Sequence, residues 1–339
     1  MKAVFIGLGS VGQRHLQNLK EIAPDIEICA LRQGKSKRVL QDGKAFEVAD
    51  DLEDYYGIKR CNNWSELIQE RVDMAFICNP SIYHGELAVK LAELGCHLFI
   101  EKPMAINYSE SLALIEIVKA KKLITQIGFQ TRFNPMIEEL YKLINSDNLG
   151  QVLSASFVWQ TYLPNHHPWE DYSKGYAARK DLGGGVVNCL SHEFDLMLHL
   201  FGMPNSVYTL EGGSANLKMN VEETVNCLFQ FKEANFSTLM SLSFAKKNEH
   251  RMMDFIFSKG SINCDLANNS LEISYNDELT VVKKMGIERN DLFKKELIDF
   301  LSAVKNNHDT KINVTEGIKS VKVIDAVHRS LKSKSIEYI

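Results

Sequence analysis

A glycine-rich turn at the start of the chain limits its fold more than any other feature. Lys2–Ile6 is a short apolar run that passes directly into Gly7-Leu8-Gly9-Ser10-Val11-Gly12, a G-x-G-x-x-G pattern. Val11, Leu16, Leu19 and Ile22 then recur near helical spacing until Pro24 stops the run. Strand, glycine turn and helix in that order open a βαβ unit whose turn lies against a pyrophosphate. The glycines let the backbone approach the phosphates, and the helix start offers N–H groups and the positive end of its dipole. That contact is assigned to Gly7, Gly9, Ser10, Val11 and Gly12, with a plain tight turn as the alternative.

The alternation continues. Ile26–Leu31, Met74–Cys78, His97–Ile100 and Ile124–Phe129 read as strands. Tyr83–Leu94, with Leu87, Leu91 and Leu94 on one face, and Ser109–Lys121 read as helices. This predicts a doubly wound parallel sheet of the Rossmann kind over residues 1–125. Asn134-Pro135 then opens a helix with Ile137, Leu140, Tyr141 and Ile144 inward. Beyond Gly150 the period changes to two, as in Leu153, Ala155, Phe157, Trp159 and again in Val225, Cys227, Phe229, Phe231. Strand-like runs follow at Val207–Gly212, Phe236–Phe244, Met252–Phe257 and Leu279–Lys283, which predicts a large, mainly antiparallel sheet in an α/β domain over 126–290. Helical patterns at Asp291–Val304 and Thr315–Leu331 make residues 291–339 a tail of helices packing back on the core.

The composition narrows the partners. A net charge of -4 gives no reason to expect nucleic acid. No apolar run approaches the ~20 residues that span a bilayer, so no membrane is expected. The chain opens as a strand without a charged leader, which predicts the cytoplasm. Seven cysteines are scattered without a C-x-x-C pair, so neither disulfides nor a zinc site is expected. His192, Asp195 and His199 have ligand-like spacing but no further cluster, and no metal is expected.

In such a sheet, ligands bind beyond the carboxyl ends of the strands. Glu101-Lys102-Pro103 stands at one of these ends. An ammonium partly desolvated beside a nicotinamide is placed to trade a proton with substrate near neutral pH, which makes Lys102 a catalytic candidate. Glu101 would orient the ammonium or hydrogen-bond the cofactor; an exposed ion pair is the bland alternative. Asn79-Pro80 and His84 form a second strand-end turn, expected against the nicotinamide or ribose unless it is an ordinary loop. About 20 residues past the last glycine, where an acid normally meets the ribose of NAD, stands Arg32, with Lys35, Lys37 and Arg38 behind it. A guanidinium pairs with a 2′-phosphate or stacks on adenine, which favours NADP over NAD; a solvated basic loop is the alternative.

In the second half, Asp181-Leu182-Gly183-Gly184-Gly185 leads into an amphipathic stretch, Val186–His199, carrying His192. His192 is expected on a substrate hydroxyl, with a core histidine as the alternative. Upstream, Tyr162 to Tyr172, with Trp169, continues to Tyr176 and Arg179. Its aromatic faces and polar edges suit a sugar or polyol, and a dimer-contact loop is the other reading.

Together these features resemble the glucose–fructose oxidoreductase / inositol dehydrogenase / MocA family over nearly the whole chain. The resemblance rests on Gly7–Gly12, Asn79-Pro80 with His84, and Glu101-Lys102-Pro103. It continues through Gly128-Phe129-Gln130, Arg132-Phe133-Asn134-Pro135, Gly183-Gly184-Gly185 and His192-x-x-Asp195. It implies hydride transfer at a sugar, sugar-nucleotide or cyclitol carbon, with Lys102 and His192 catalytic. Arg132, Trp169, Tyr176 and Asn188 are expected near the substrate. It also implies a homodimer or homotetramer through an open C-terminal sheet. Many members carry an aspartate four residues before the histidine; here that position is Asn188, followed by Cys189, and an amide cannot act as a base. The stretches at Pro168–Tyr172 and Ser191–Glu193 also look like a bacterial subgroup of surface-polysaccharide and amino-sugar synthesis. A redox-cycling lyase or epimerase, and a cofactor-binding regulator without catalysis, are the rival expectations.

Overall fold

The structure is a computed structural model that describes residues 1–339 except 35, 42–43 and 277–279. Residues 1–129 with 290–318 form one compact unit, and residues 130–289 with 319–339 form another.

The first unit runs β1 (Lys2–Ile6), α1 (Ser10–Ile22), β2 (Glu27–Leu31), β3 (Arg38–Gln41), β4 (Lys44–Glu47), α2 (Leu52–Tyr56), β5 (Lys59–Cys61) and α3 (Trp64–Glu70). It continues through β6 (Met74–Ile77), α4 (His84–Glu93), β7 (His97–Glu101), α5 (Tyr108–Lys121) and β8 (Thr125–Gly128). Six strands make a parallel sheet in the order β5-β2-β1-β6-β7-β8, the doubly wound arrangement expected. β1, β6 and β7 are buried almost throughout, as strands covered by helices on both faces must be. α4 differs in detail. Its inward face is His84, Ala88, Leu91 and Ala92, whereas Leu94 lies past its last residue and is exposed.

The second unit holds α6 (Pro135–Ile144), β9 (Val152–Tyr162), α7 (Val186–Cys189), α8 (His192–Phe201), β10 (Ser206–Glu211), β11 (Thr224–Phe231), β12 (Phe236–Ser243) and β13 (Ala245–Phe257). β14 (Gly260–Asp265), β15 (Ser270–Tyr275) and β16 (Val281–Lys284) follow; of the strand expected at Leu279–Lys283, Leu279 lies outside the described residues. The tail consists of α9 (Arg289–Asn306), α10 (Val314–Ser333) and β17 (Glu337–Tyr338). The nine strands form one sheet, β16-β15-β14-β13-β9-β12-β11-β10-β17, in which β9 and β12 are parallel and the other pairs antiparallel. Asn134 caps α6 by accepting the Met136 N–H at 2.8 Å, with Pro135 in the first turn. Tyr141, expected inward on α6, is exposed and stacks on the His199 ring at 4.8 Å.

One face of this sheet packs into a core of Phe157, Phe194, Phe229, Phe244 and Phe255, with Val323, Ile324 and Val327 from α10. The other face carries a cross-strand row: Tyr208, Leu228, Leu239, Ser156, Asp254, Asn263, Glu272 and Val282. Leu228, Leu239 and Val282 in that row are exposed.

α9 belongs to the first unit from Asn290 on, while α10 starts in the first and ends in the second. Phe5, Phe76 and Phe99 stack across β1, β6 and β7 at centroid spacings of 4.6 and 5.3 Å. Phe300 of α9 meets Phe76 and Phe99 edge-on at 5.9 and 5.7 Å. Each such pair adds roughly 0.5–1.5 kcal/mol beyond the area it buries.

Candidate active site

The glycine turn leaves β1 and enters α1. Gly7 has φ +94° and lies so close to the next strand end that a Cβ would sit 3.1 Å from the Asn79 backbone nitrogen. A Cβ on Gly12 would come within 2.4 Å of the Gly7 carbonyl oxygen, so only glycine lets the helix start so near the strand. Gly9 is exposed, and a Cβ there would meet nothing within 4 Å. Among the described residues no side chain caps α1, and Ser10 and Val11 stand half-buried in its first turn. Beside them the Asn79 Oδ1 is buried and has no hydrogen-bond partner among the described residues. A helix start without a side-chain cap, open space over Gly9 and an orphaned amide oxygen together fit a dinucleotide phosphate and ribose.

Behind this turn the expected residues are drawn together by hydrogen bonds. His84 is buried, with Nε2 2.7 Å from the Asn79 carbonyl oxygen and Nδ1 2.8 Å from that of Pro103. One imidazole thus joins the Asn79-Pro80 turn to the Glu101-Lys102-Pro103 turn. Burial pushes its pKa down, against the two carbonyls that favour the cation. Glu101 is turned inward. Its Oε1 lies 2.7 Å from His15 Nε2, and its Oε2 accepts the Lys102 N–H at 3.2 Å. Gly128 makes the room, because a Cβ there would stand 3.0 Å from the Glu101 carboxylate carbon. Burial raises the Glu101 pKa, but His15 and then Lys102 outweigh it and hold the group ionised. Lys102 is half-buried at the strand end.

Arg32 departs from expectation. Its Nε and Nη2 bind the two oxygens of Glu53 at 2.8 and 2.7 Å, and its Nη1 donates to the carbonyls of Gly34 and Ser36 at 2.5 and 3.0 Å. The side chain is 5% exposed. Lys37 donates to the Ala49 carbonyl and Arg38 pairs with Glu47 at 3.6 Å; Lys35 lies outside the described residues.

In the second unit the helical stretch expected at Val186–His199 is broken at Leu190-Ser191, and His192 is the buried first residue of α8. Its ring lies 6.0 Å from Trp159, whose other neighbour is the Arg251 guanidinium, 3.9 Å from the indole centroid. Arg251 is held by Glu193 at 2.7 and 3.2 Å, and Trp159 Nε1 donates to Glu249 at 2.9 Å. Glu193 and Arg251 were not evident from sequence, since their pairing spans 58 residues. Arg132, expected at the substrate, forms instead a buried bidentate pair with Asp195 at 2.8 and 2.7 Å. Removing one partner of such a pair typically costs about 3–5 kcal/mol, so the arginine braces the first turn of α8.

Asn188 donates to the carbonyls of Gly183 and Gly184 at 3.2 and 3.3 Å, and its Oδ1 lies 3.2 Å from His328 Nε2. The amide thus ties the glycine triplet to α10, which a carboxylate lacking donors could not do. Gly184 and Gly185 bond in turn to the carbonyls of Arg179 and Ala177, bringing the half-buried Tyr176 turn alongside. Trp169 is half-buried and stacked on His167 at 5.3 Å, and His167 contacts Glu170 at 2.5 Å.

With this geometry the chain meets its relatives. It belongs to the GFO/IDH/MocA oxidoreductase family. The model described as "Oxidoreductase family, NAD-binding Rossmann fold" matches residues 1–129, and that of the GFO/IDH/MocA C-terminal domain matches residues 137–263. It is 22% identical over 335 residues to the uncharacterized oxidoreductase YrbE of Bacillus subtilis, covering 96% of this chain and 93% of that one. It is 22% identical over 344 residues to myo-inositol 2-dehydrogenase of Thermotoga maritima, covering 98% and 97%. Levoglucosan dehydrogenase, solved with NADH and L-sorbose, shares the fold with a TM-score of 0.83 at 17% identity, over 100% of this chain and 98% of that one.

Glu222 generates a pH prediction. It accepts the Val187 N–H at 3.1 Å, under Gly185, and burial pushes its pKa up to about 7. The folded state therefore holds a proton that the unfolded chain releases earlier, and stability falls as pH rises from the usual glutamate range to about 7. Glu222→Gln is expected to match the wild type at pH 5 and to be more stable by about 1–2 kcal/mol at pH 8, allowing for partial solvent screening. Equal gains at both pH values in thermal denaturation would contradict this.

Proposed function

We propose that the protein transfers hydride between a nicotinamide dinucleotide and a hydroxyl or carbonyl carbon of a sugar, sugar nucleotide or cyclitol. The observation that carries this reading is the half-buried Lys102, fixed at a strand end by an ionised Glu101, in a chain of this oxidoreductase family. When bound, the dinucleotide supplies the hydride donor or acceptor at its nicotinamide ring. Gly7 to Gly12 would hold its phosphates, and Asn79, Pro80 and His84 would shape the turn against its ribose and nicotinamide. Lys102 accepts the substrate hydroxyl proton in the oxidative direction. In the second unit His192 is proposed to bond a substrate hydroxyl, with Trp159 as an apolar wall and Tyr176 and Trp169 offering sugar-binding surfaces. The dehydrogenase names of relatives such as the Thermotoga maritima enzyme support a polyol substrate.

We favour NAD over the NADP suggested by the basic residues after β2. All three nitrogens of Arg32 already donate, through four hydrogen bonds, and the Glu53 carboxylate beside it would repel a 2′-phosphate. A second copy of the chain is the proposed partner on the open face of the nine-stranded sheet, supported by exposed Leu228, Leu239 and Val282 in one row. Among the described residues no helix is long and apolar enough to cross a membrane. The cytoplasm is the proposed compartment, supported by seven buried cysteines, all unbridged.

Three outcomes are expected. Lys102→Met should keep NADH binding and lose roughly 10²–10⁴-fold in turnover on an inositol and hexose panel; near-normal turnover would refute its role. NADH should bind more tightly than NADPH in fluorescence titration, and Glu53→Gln should narrow the gap; an NADPH preference in the wild type would reverse the assignment. Light scattering should give an oligomer that Leu228→Glu with Leu239→Glu splits into monomers, and a wild-type monomer would rule out the sheet interface.

A further inference from the structure

Behind Glu101 lies a second carboxylate that the reaction does not use. Glu296 sits on the inward face of α9, between Phe293 and Phe300, and is 0% exposed. Neither of its oxygens has a hydrogen-bond partner among the described residues. One ligand atom each from His15, Glu101 and Glu296 lie within 4.8 Å of one another. His15 is walled by Phe99 at 4.6 Å and Phe293 at 5.6 Å. Its Nε2 faces Glu101, while its Nδ1 is buried without a partner. Nε2 thus serves the Glu101 carboxylate, and the rest of the ring faces aromatic side chains.

We propose that Glu296 is a positioning residue for the Glu101-Lys102 turn: as a neutral acid it closes a dry His15–Glu101–Glu296 cluster in which the single negative charge rests on Glu101. This rests on the proposed role of Lys102. The groups facing Glu296 are His15 from α1, Glu101 at the end of β7 and the Cys78 thiol beyond β6; Glu101 in turn feels His84 and Lys102. Among the described residues none of them bonds a Glu296 oxygen. Burial, reinforced by the Glu101 charge, drives the Glu296 pKa well above the ordinary carboxyl value. Burial likewise pushes up the Cys78 thiol, which stays neutral. With the charge confined to Glu101, its Oε2 keeps the Lys102 N–H and so holds the backbone of the turn. An ionised Glu296 would set two carboxylates against each other, and relief would come through movement of Glu101 and the turn it holds.

The test uses the full chain with Glu296→Gln and Glu296→Leu. The infrared difference between wild type and Glu296→Gln should show a protonated-carboxyl stretch persisting through neutral pH. Thermal and denaturant unfolding should find Glu296→Gln equal to wild type near pH 4, below the usual glutamate range. Its folding constant should then gain on the wild type by up to about tenfold per pH unit towards pH 9, because the wild type alone must keep or lose that proton. On a polyol that the wild type turns over, Glu296→Gln should stay within about threefold in kcat, while Glu296→Leu should lose at least roughly tenfold with NADH affinity unchanged. Absence of the carboxyl band, or Glu296→Gln destabilised equally at every pH, would overturn the neutral acid. A stoichiometric metal in purified wild type that disappears in Glu296→Gln would overturn it in favour of an ion site. Wild-type kcat in Glu296→Leu would overturn the positioning role. Failure of the Lys102→Met test would leave the band and the pH response standing, so the two readings fail separately.

Discussion

A carboxylate turned back into the protein organises the first unit. Glu101 ends its strand, yet its oxygens face His15 and its own chain. A buried negative charge is tolerated only with donors around it. His15 from α1 supplies one and the Lys102 N–H another, while Gly128 on the neighbouring strand stays small enough to admit the group. The glycine turn thus feeds a helix whose second turn reaches the strand end carrying Lys102. One hydrogen bond, His15 to Glu101, therefore joins the helix after the glycine turn to the strand end that carries Lys102.

The second unit uses charge differently. Arg132–Asp195 and Arg251–Glu193 each brace the first turn of α8, which begins at His192. Trp159 lies between Arg251 and His192, giving one flat apolar wall among ion pairs. Asn188 loses the basicity of an aspartate but gains donors, and spends them on the glycine triplet.

The fold was legible where a segment carries its own instruction. β1, β6 and β7 are continuous apolar runs because both faces are covered, and β11 alternates because one face is not. β14 and β15 passed unseen, since Ser261, Asn263, Ser270, Glu272 and Ser274 dilute their apolar positions. Charged groups are hard to place from sequence when the partner is distant. Arg32 looks available until Glu53 is folded against it, and Arg132 until Asp195 arrives 63 residues later. Glu296 gave no signal either, because on a helical wheel it is simply one polar residue in an apolar stripe.

The order in which partners appear along the chain shapes how it must be made. β9, the central strand of nine, pairs with β12 and β13, both translated long after it. The aromatic stack of β1, β6 and β7 likewise waits for Phe300. A nascent polypeptide leaving the ribosome therefore exposes unfinished edges and uncovered rings until nearly its full length has emerged. Such intermediates invite chaperone engagement, and excising the nucleotide-binding half by cutting after residue 129 would strip away the helix that seals it.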